Sequence, residues 1–185
     1  MEQPGRPRLT ADEFIAWSAE QATGRFELAD GVVVALAPER VAHARARLLA
    51  VNALAAAISD RGLGCEAMPY GVSVRIDNHT VYEPDALVRC GPPTPGDATE
   101  VDDPIVVVEI VSASSRGVDT GARLAGYFRL PSVRHYLVVN TDSRAVIHHR
   151  RDDAGAIGVR ILHEGSLFLD PSGLTIDVPG LFTGV

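Results

Sequence analysis

The chain has 185 residues, 46% of them hydrophobic and 22% charged, which suits one domain with a sizeable core and excludes disordered or fibrous classes. A formal charge of −7 argues against broad non-specific attraction to nucleic acid. It leaves room for a nucleic-acid enzyme, because a cluster of acids that binds cations lowers this count yet presents a positive centre once loaded. All 17 basic residues are arginine and none is lysine. Residues 1–9 are polar and proline-rich without an apolar h-region, and no apolar run approaches bilayer length, so no membrane segment and a cytoplasmic location are expected. Cys65 and Cys90 are too few and too isolated for a disulfide framework or a zinc site, which predicts free thiols in a reducing compartment.

Thr10-Ala11-Asp12-Glu13 has the spacing of a capping box and predicts a short helix from near Thr10 to near Gly24. Asp30-Gly31, between Phe26-Glu27-Leu28 and Val32-Val33-Val34, predicts a hairpin in which Glu27, by alternation alone, faces solvent. From Glu39 to Arg61 a helical pattern places Val41, Ala44, Leu48, Val51, Ala55 and Ile58 on an apolar stripe, with Gly62 as the stop. His43 and Arg47 lie one turn apart beside that stripe. Strand-like segments follow around Glu66–Ile76 and Thr80–Arg89, then a proline-rich surface loop from Cys90 to Asp103.

Ile105 to Val111 is an apolar β-branched run broken only by Glu109, which predicts a strand buried on both faces. The period of two sets Glu109 on the face of Ile105, Val107 and Val111. A carboxylate there calls for an arginine or a metal ion. Asp85 follows Pro84 in another strand-like run, where the missing proline N–H predicts a kink or a sheet edge. If the two runs are neighbours, Asp85 and Glu109 converge as oxygen ligands for a hard cation. After Ser112 a helix is expected to run to about Leu130. On it Asp119, Arg123 and Tyr127 share one stripe, while Val118, Ala125 and Phe128 face the core. Strands at Arg134–Asn140, Ala145–Arg150, Ile157–His163 and Leu167–Leu169 complete the pattern.

Taken together, Phe26-Glu27-Leu28-Ala29-Asp30-Gly31, His43 heading a long helix, Glu83-Pro84-Asp85, Val107-Val108-Glu109-Ile110-Val111-Ser112, Asp119-x-x-x-Arg123-x-x-x-Tyr127 and Val133 to Asn140 resemble the PD-(D/E)xK nuclease superfamily. Within it they resemble the restriction-endonuclease-like family. The resemblance implies an α+β domain with a mixed sheet flanked by helices, and hydrolysis of DNA phosphodiesters with Mg²⁺ or Mn²⁺. It further implies Asp85 and Glu109 as metal ligands, Glu27 as an accessory acid, Arg123 as the phosphate clamp, and His43, Tyr127, Ser112 and Asp119 as residues lining the site. A lysine is expected two positions after the strand acid, where this chain has Val111; Arg123 takes the equivalent place on the following helix. Arginine can clamp phosphate but cannot serve as a general base. Two alternatives stand beside this expectation: a nuclease fold that binds nucleic acid or a protein without cutting, and a hydrolase of some other phosphoester. A homodimer would supply two sites for two strands.

Overall fold

The computed structural model describes residues 8–112 and 120–185. The capping box forms as expected: the Glu13 N–H donates to Thr10 Oγ1 at 3.3 Å and the Thr10 N–H to Glu13 Oε2 at 2.8 Å, opening helix α1 (Ala11–Ala19). Such a cap contributes about 1 kcal/mol. The hairpin of β1 (Phe26–Ala29) and β2 (Val32–Ala35) turns through Asp30 and Gly31, both at positive φ. α1 buries Ala11 and Phe14 against Leu28 and Val81.

Helix α2 (Val41–Arg61) ends at Gly62 in the left-handed conformation, φ 60°. Its buried residues are Ala46, Arg47, Ala50, Leu54, Ala57 and Ile58, so the expected stripe is rotated. Val41 is 68% and Leu48 61% exposed. The helix is rich in alanine on every side, so small residues pack inward as readily as branched ones, and the hydrophobic pattern does not select the face. By length and composition α2 could cross a membrane, contrary to expectation, but a third of that stretch is buried on the sheet and Arg47 is ion-paired there.

Each of the next two predicted strands splits. Around Gly71 (φ 102°) the chain passes from β3 (Cys65–Pro69) to β4 (Val74–Asp77), and at Glu83-Pro84-Asp85 from β5 (Thr80–Tyr82) to β6 (Ala86–Cys90). The proline break therefore moves the chain between two sheets, and β6 is an interior strand. The first sheet has the order β2-β1-β5-β4. The second contains β7 (Pro104–Val111), β8 (His135–Asn140), β9 (Ala145–Arg151) and β10 (Ile157–Leu162) in the order β10-β9-β8-β7-β6-β3. Only β7 and β8 run parallel within it, joined by the crossover that contains helix α3 (Thr120–Tyr127). One face of this sheet packs on α2, on the hairpin of β11 (Ser166–Leu169) and β12 (Leu174–Asp177), and on a 3-10 helix at Pro179–Phe182. The other face packs on α3 and β4. Each fully buried Val or Leu in these layers contributes about 1.5–3 kcal/mol. The architecture is the mixed α+β arrangement expected, with β12 as an additional strand.

Three expectations change here. Cys65 and Cys90 are not free thiols: they are direct partners across β3 and β6, their Cα atoms 3.9 Å apart, and they form a disulfide. Twenty-five residues of separation concealed a pairing that only the strand register makes, and the support that free thiols lent to a reducing compartment falls away. Ile105 packs on the α2 side rather than with Glu109, because a register shift between Val88 and Arg89 bulges β7 at that point; Val107 and Val111 stay on the α3 side. Ala125 is exposed and Gly126 and Tyr127 are buried instead. Val118 and Asp119 lie outside the described residues.

Under the β11–β12 hairpin, His135 Nε2 donates to the Pro171 carbonyl at 3.2 Å, leaving Nδ1 to accept from His148 Nε2 at 2.9 Å. His148 Nδ1 has no partner among the described residues. Burial pushes both imidazoles from the ordinary 6.5 down to about 4. Between these values the unfolded chain binds more protons than the folded one. Stability is therefore full above pH 6.5 and is lost as pH falls towards 4. Urea unfolding from pH 7 to 4 should show this decline, and His148→Gln should flatten it; an unflattened slope would refute the assignment.

Candidate active site

Asp85 and Glu109 are brought together by strand register. Ala86 pairs with Val108 across β6 and β7, and the Asp85 N–H donates to the Val108 carbonyl at 3.1 Å, so the next position sets Asp85 opposite Glu109. Both line a cavity of about 510 Å³ together with Glu27, His43 and Arg123. The hairpin β1–β2, the start of α2, the Glu83-Pro84-Asp85 crossover and α3 enclose it.

Asp85 faces α2. Its Oδ1 accepts Arg47 Nε at 2.9 Å and Nη2 at 2.5 Å, its Oδ2 accepts the Ile110 N–H at 2.6 Å, and His43 Nε2 lies 3.3 Å from both oxygens. Burial raises this carboxyl, but the His43 hydrogen bond and the Arg47 charge outweigh burial and hold it below the ordinary carboxylate value. Glu109 faces α3: Oε1 accepts Arg123 Nη1 at 2.8 Å and the Tyr127 hydroxyl at 3.2 Å. Burial pushes Glu109 up to about 8; Arg123 opposes, while Asp85 and Glu27 add to the rise. Arg123 remains a cation, since Glu109 and Glu27 outweigh the burial that works against its charge. Tyr127, fully buried behind Glu109, has its hydroxyl pushed up chiefly by the same burial.

Glu27 is not the solvent-facing residue that alternation suggests. It is 4% exposed, with Oε1 accepting the Glu83 N–H at 2.7 Å and Oε2 forming a short ion pair with Arg123 Nη2. Arg123 thus bridges Glu27 and Glu109 and lies over the Tyr82 ring, 5.2 Å from its centroid. The arginine that a carboxylate at Glu109 calls for is present, inside the cavity that also holds Asp85. Ser112, half-buried after β7, is outside the cavity lining.

The sequence assigned no site role to Arg47, Glu39 or Tyr70. Arg47 Nη1 donates to Glu39 Oε2 at 3.0 Å, and its guanidinium sits 3.8 Å from the Tyr70 ring centroid, with Arg25 at 4.6 Å from the same ring. The signal available was the spacing by four of Glu39, just before α2, and His43 and Arg47 in its first two turns. Among the described residues the lining has four arginines and five carboxylates, formally one unit negative.

Among the described residues no group of three or more His, Cys, Asp or Glu converges to hold a metal ion. The pair Asp85 and Glu109 nevertheless has fitting donor chemistry, since Mg²⁺ is commonly held by one or two carboxylates and completes its shell with water and substrate phosphate. An arginine contacts an oxygen of each.

Gly126 supports this wall. A Cβ there would lie 2.7 Å from Tyr82 Cε2, and the Tyr82 ring contacts Tyr127 edge-on, with centroids 5.4 Å apart. Gly126→Ala should cost about 1–3 kcal/mol of overpacking against about 1 kcal/mol gained in helix propensity, a net change from about zero to a loss of about 2 kcal/mol, read by urea unfolding. A gain in stability would contradict this packing.

A family model described as "Uma2: Putative restriction endonuclease" matches residues 11–178. The chain is 26% identical to "Uncharacterized protein slr1290" of Synechocystis sp. (strain ATCC 27184 / PCC 6803 / Kazusa), covering 97% of this chain and 94% of that one. It is 24% identical to "Uncharacterized protein sll1609" of the same organism, covering 77% and 81%. A crystal structure described as that of "a putative nuclease belonging to DUF820" from Anabaena variabilis ATCC 29413 superposes with a TM-score of 0.71 at 16% identity, covering 95% of this chain and 98% of that one. The fold is shared with that structure, and the chain belongs to the Uma2 family.

Proposed function

We propose that the protein is a divalent-metal-dependent endonuclease that hydrolyses DNA phosphodiesters. The observation that carries this reading is the convergence of Asp85, just before β6, and Glu109, on the neighbouring β7, in one cavity with Arg123. Asp85 and Glu109 would hold Mg²⁺ or Mn²⁺, which when bound lowers the pKa of a water and screens the phosphate. Arg123 brings a planar, permanently charged donor set that suits the non-bridging phosphate oxygens. Glu27 orients it, acting as a positioning residue. Tyr127 orients Glu109 through its hydroxyl. His43, the one imidazole lining the cavity among the described residues, holds its Nε2 3.3 Å from Asp85. A symmetric homodimer would present two such sites to the two strands of a duplex.

A second reading has its own support: the same carboxylates are ion-paired to arginines, and the motif position of lysine is Val111, packed on the α3 side. On this reading the chain binds nucleic acid or a protein without cutting. Supercoiled plasmid with Mg²⁺, Mn²⁺ or EDTA separates the two: the proposal expects metal-dependent nicking, and its absence with both metals favours binding alone. Cleavage of a small bis-phosphodiester but not of plasmid would instead indicate another phosphoester substrate.

A further inference from the structure

We infer that Arg47 is a built-in counter-ion of the metal seat that doubles as a phosphate-binding residue. It satisfies Asp85 in the metal-free protein and cedes that carboxylate to a divalent cation, so that its freed N–H groups receive a phosphodiester oxygen. The inference rests on the nuclease reading.

Arg47 directs two of its nitrogens, Nε and Nη2, at the single oxygen Asp85 Oδ1, while Nη1 goes to Glu39. An arginine and a hard cation compete for the same lone pairs. A buried aspartate without either would be an uncompensated charge, which explains an arginine 5% exposed on an alanine-rich helix. The guanidinium is also retained without Asp85. Glu39 holds it from one side, and it stacks on Tyr70, whose ring also carries Arg25. Loss of Asp85 to a metal therefore leaves Arg47 in place, still charged, with two donors released beside the cation. The described lining, formally one unit negative, becomes positive on gaining a divalent ion, which favours an incoming phosphate.

The test is direct binding of Mn²⁺ by calorimetry to wild type, Arg47→Gln, Arg47→Lys and Glu39→Gln, each checked for folding by circular dichroism. Removing the competitor in Arg47→Gln should tighten Mn²⁺ binding on the order of tenfold, since the charge-assisted bonds to Asp85 no longer oppose it. Arg47→Lys, which keeps a cation there, should stay near wild type. Glu39→Gln leaves Arg47 leaning on Asp85 and should weaken Mn²⁺ binding several-fold, so the inference remains testable even if Arg47→Gln fails to fold. With Ca²⁺ present, Arg47→Gln should bind a short DNA duplex on the order of tenfold more weakly. Equal Mn²⁺ affinity in wild type, Arg47→Gln and Glu39→Gln would overturn the counter-ion role while leaving the metal site intact. Absence of Mn²⁺ binding in all four would overturn the metal reading and this inference together.

Discussion

Arg123→Met is expected to lower the unfolding free energy by about 3–5 kcal/mol, because it strands two buried carboxylates at once. Glu27 and Glu109 are 4% and 6% exposed, and Arg123 is the cation that bridges them. Burial pushes the Glu109 carboxyl up and Arg123 opposes that rise, so Arg123→Met drives Glu109 further towards the neutral acid and leaves Glu27 without its cation. Arg123→Lys keeps a point charge but not the fork, reaching one acid at a time, and should recover roughly half of the loss. Urea unfolding of the three proteins measures this. A loss below about 1 kcal/mol in Arg123→Met, the scale of an exposed ion pair, would mean that the bridge is not formed as described.

The second large effect concerns the acids. Glu109→Gln and Asp85→Asn each preserve shape while removing a negative ligand, and each should reduce metal-dependent cleavage by about a hundredfold or more, as expected for a centre supplying several kcal/mol of transition-state stabilisation. The two leave different partners behind. Asp85→Asn leaves Arg47 with Glu39 and Tyr70, whereas Glu109→Gln leaves Arg123 with Glu27 and Tyr82. Both arginines keep an acid partner, so both variants should remain folded, and comparable cleavage by wild type and variants under matched metal would contradict the assignment.

Much of this was legible in the chain. Thr10 and Glu13 announced the cap of α1, Asp30-Gly31 the hairpin, and Pro84 the break that delivers Asp85 to the cavity. Glu109 stood out because a charge in a Val/Ile run demands a partner, and the structure supplies Arg123. What stayed hidden depended on long-range register. The disulfide exists because β3 and β6 align Cys65 with Cys90, which no local spacing reveals. Glu27 reads as a surface residue until Arg123, 96 positions later, meets it. Arg47 stood beside the stripe without a site role because the alanines of α2 mask which face turns inward; the helix buries an arginine beside Asp85 and leaves Leu48 exposed.

The most direct test of the central claim is nicking of supercoiled plasmid by purified wild type and by folded Asp85→Asn, each in EDTA, Mg²⁺ and Mn²⁺. The nuclease account predicts nicks by wild type only with metal and at least about a hundredfold fewer by the variant. Equal nicking by both proteins, or nicking by wild type that persists in EDTA, would contradict it.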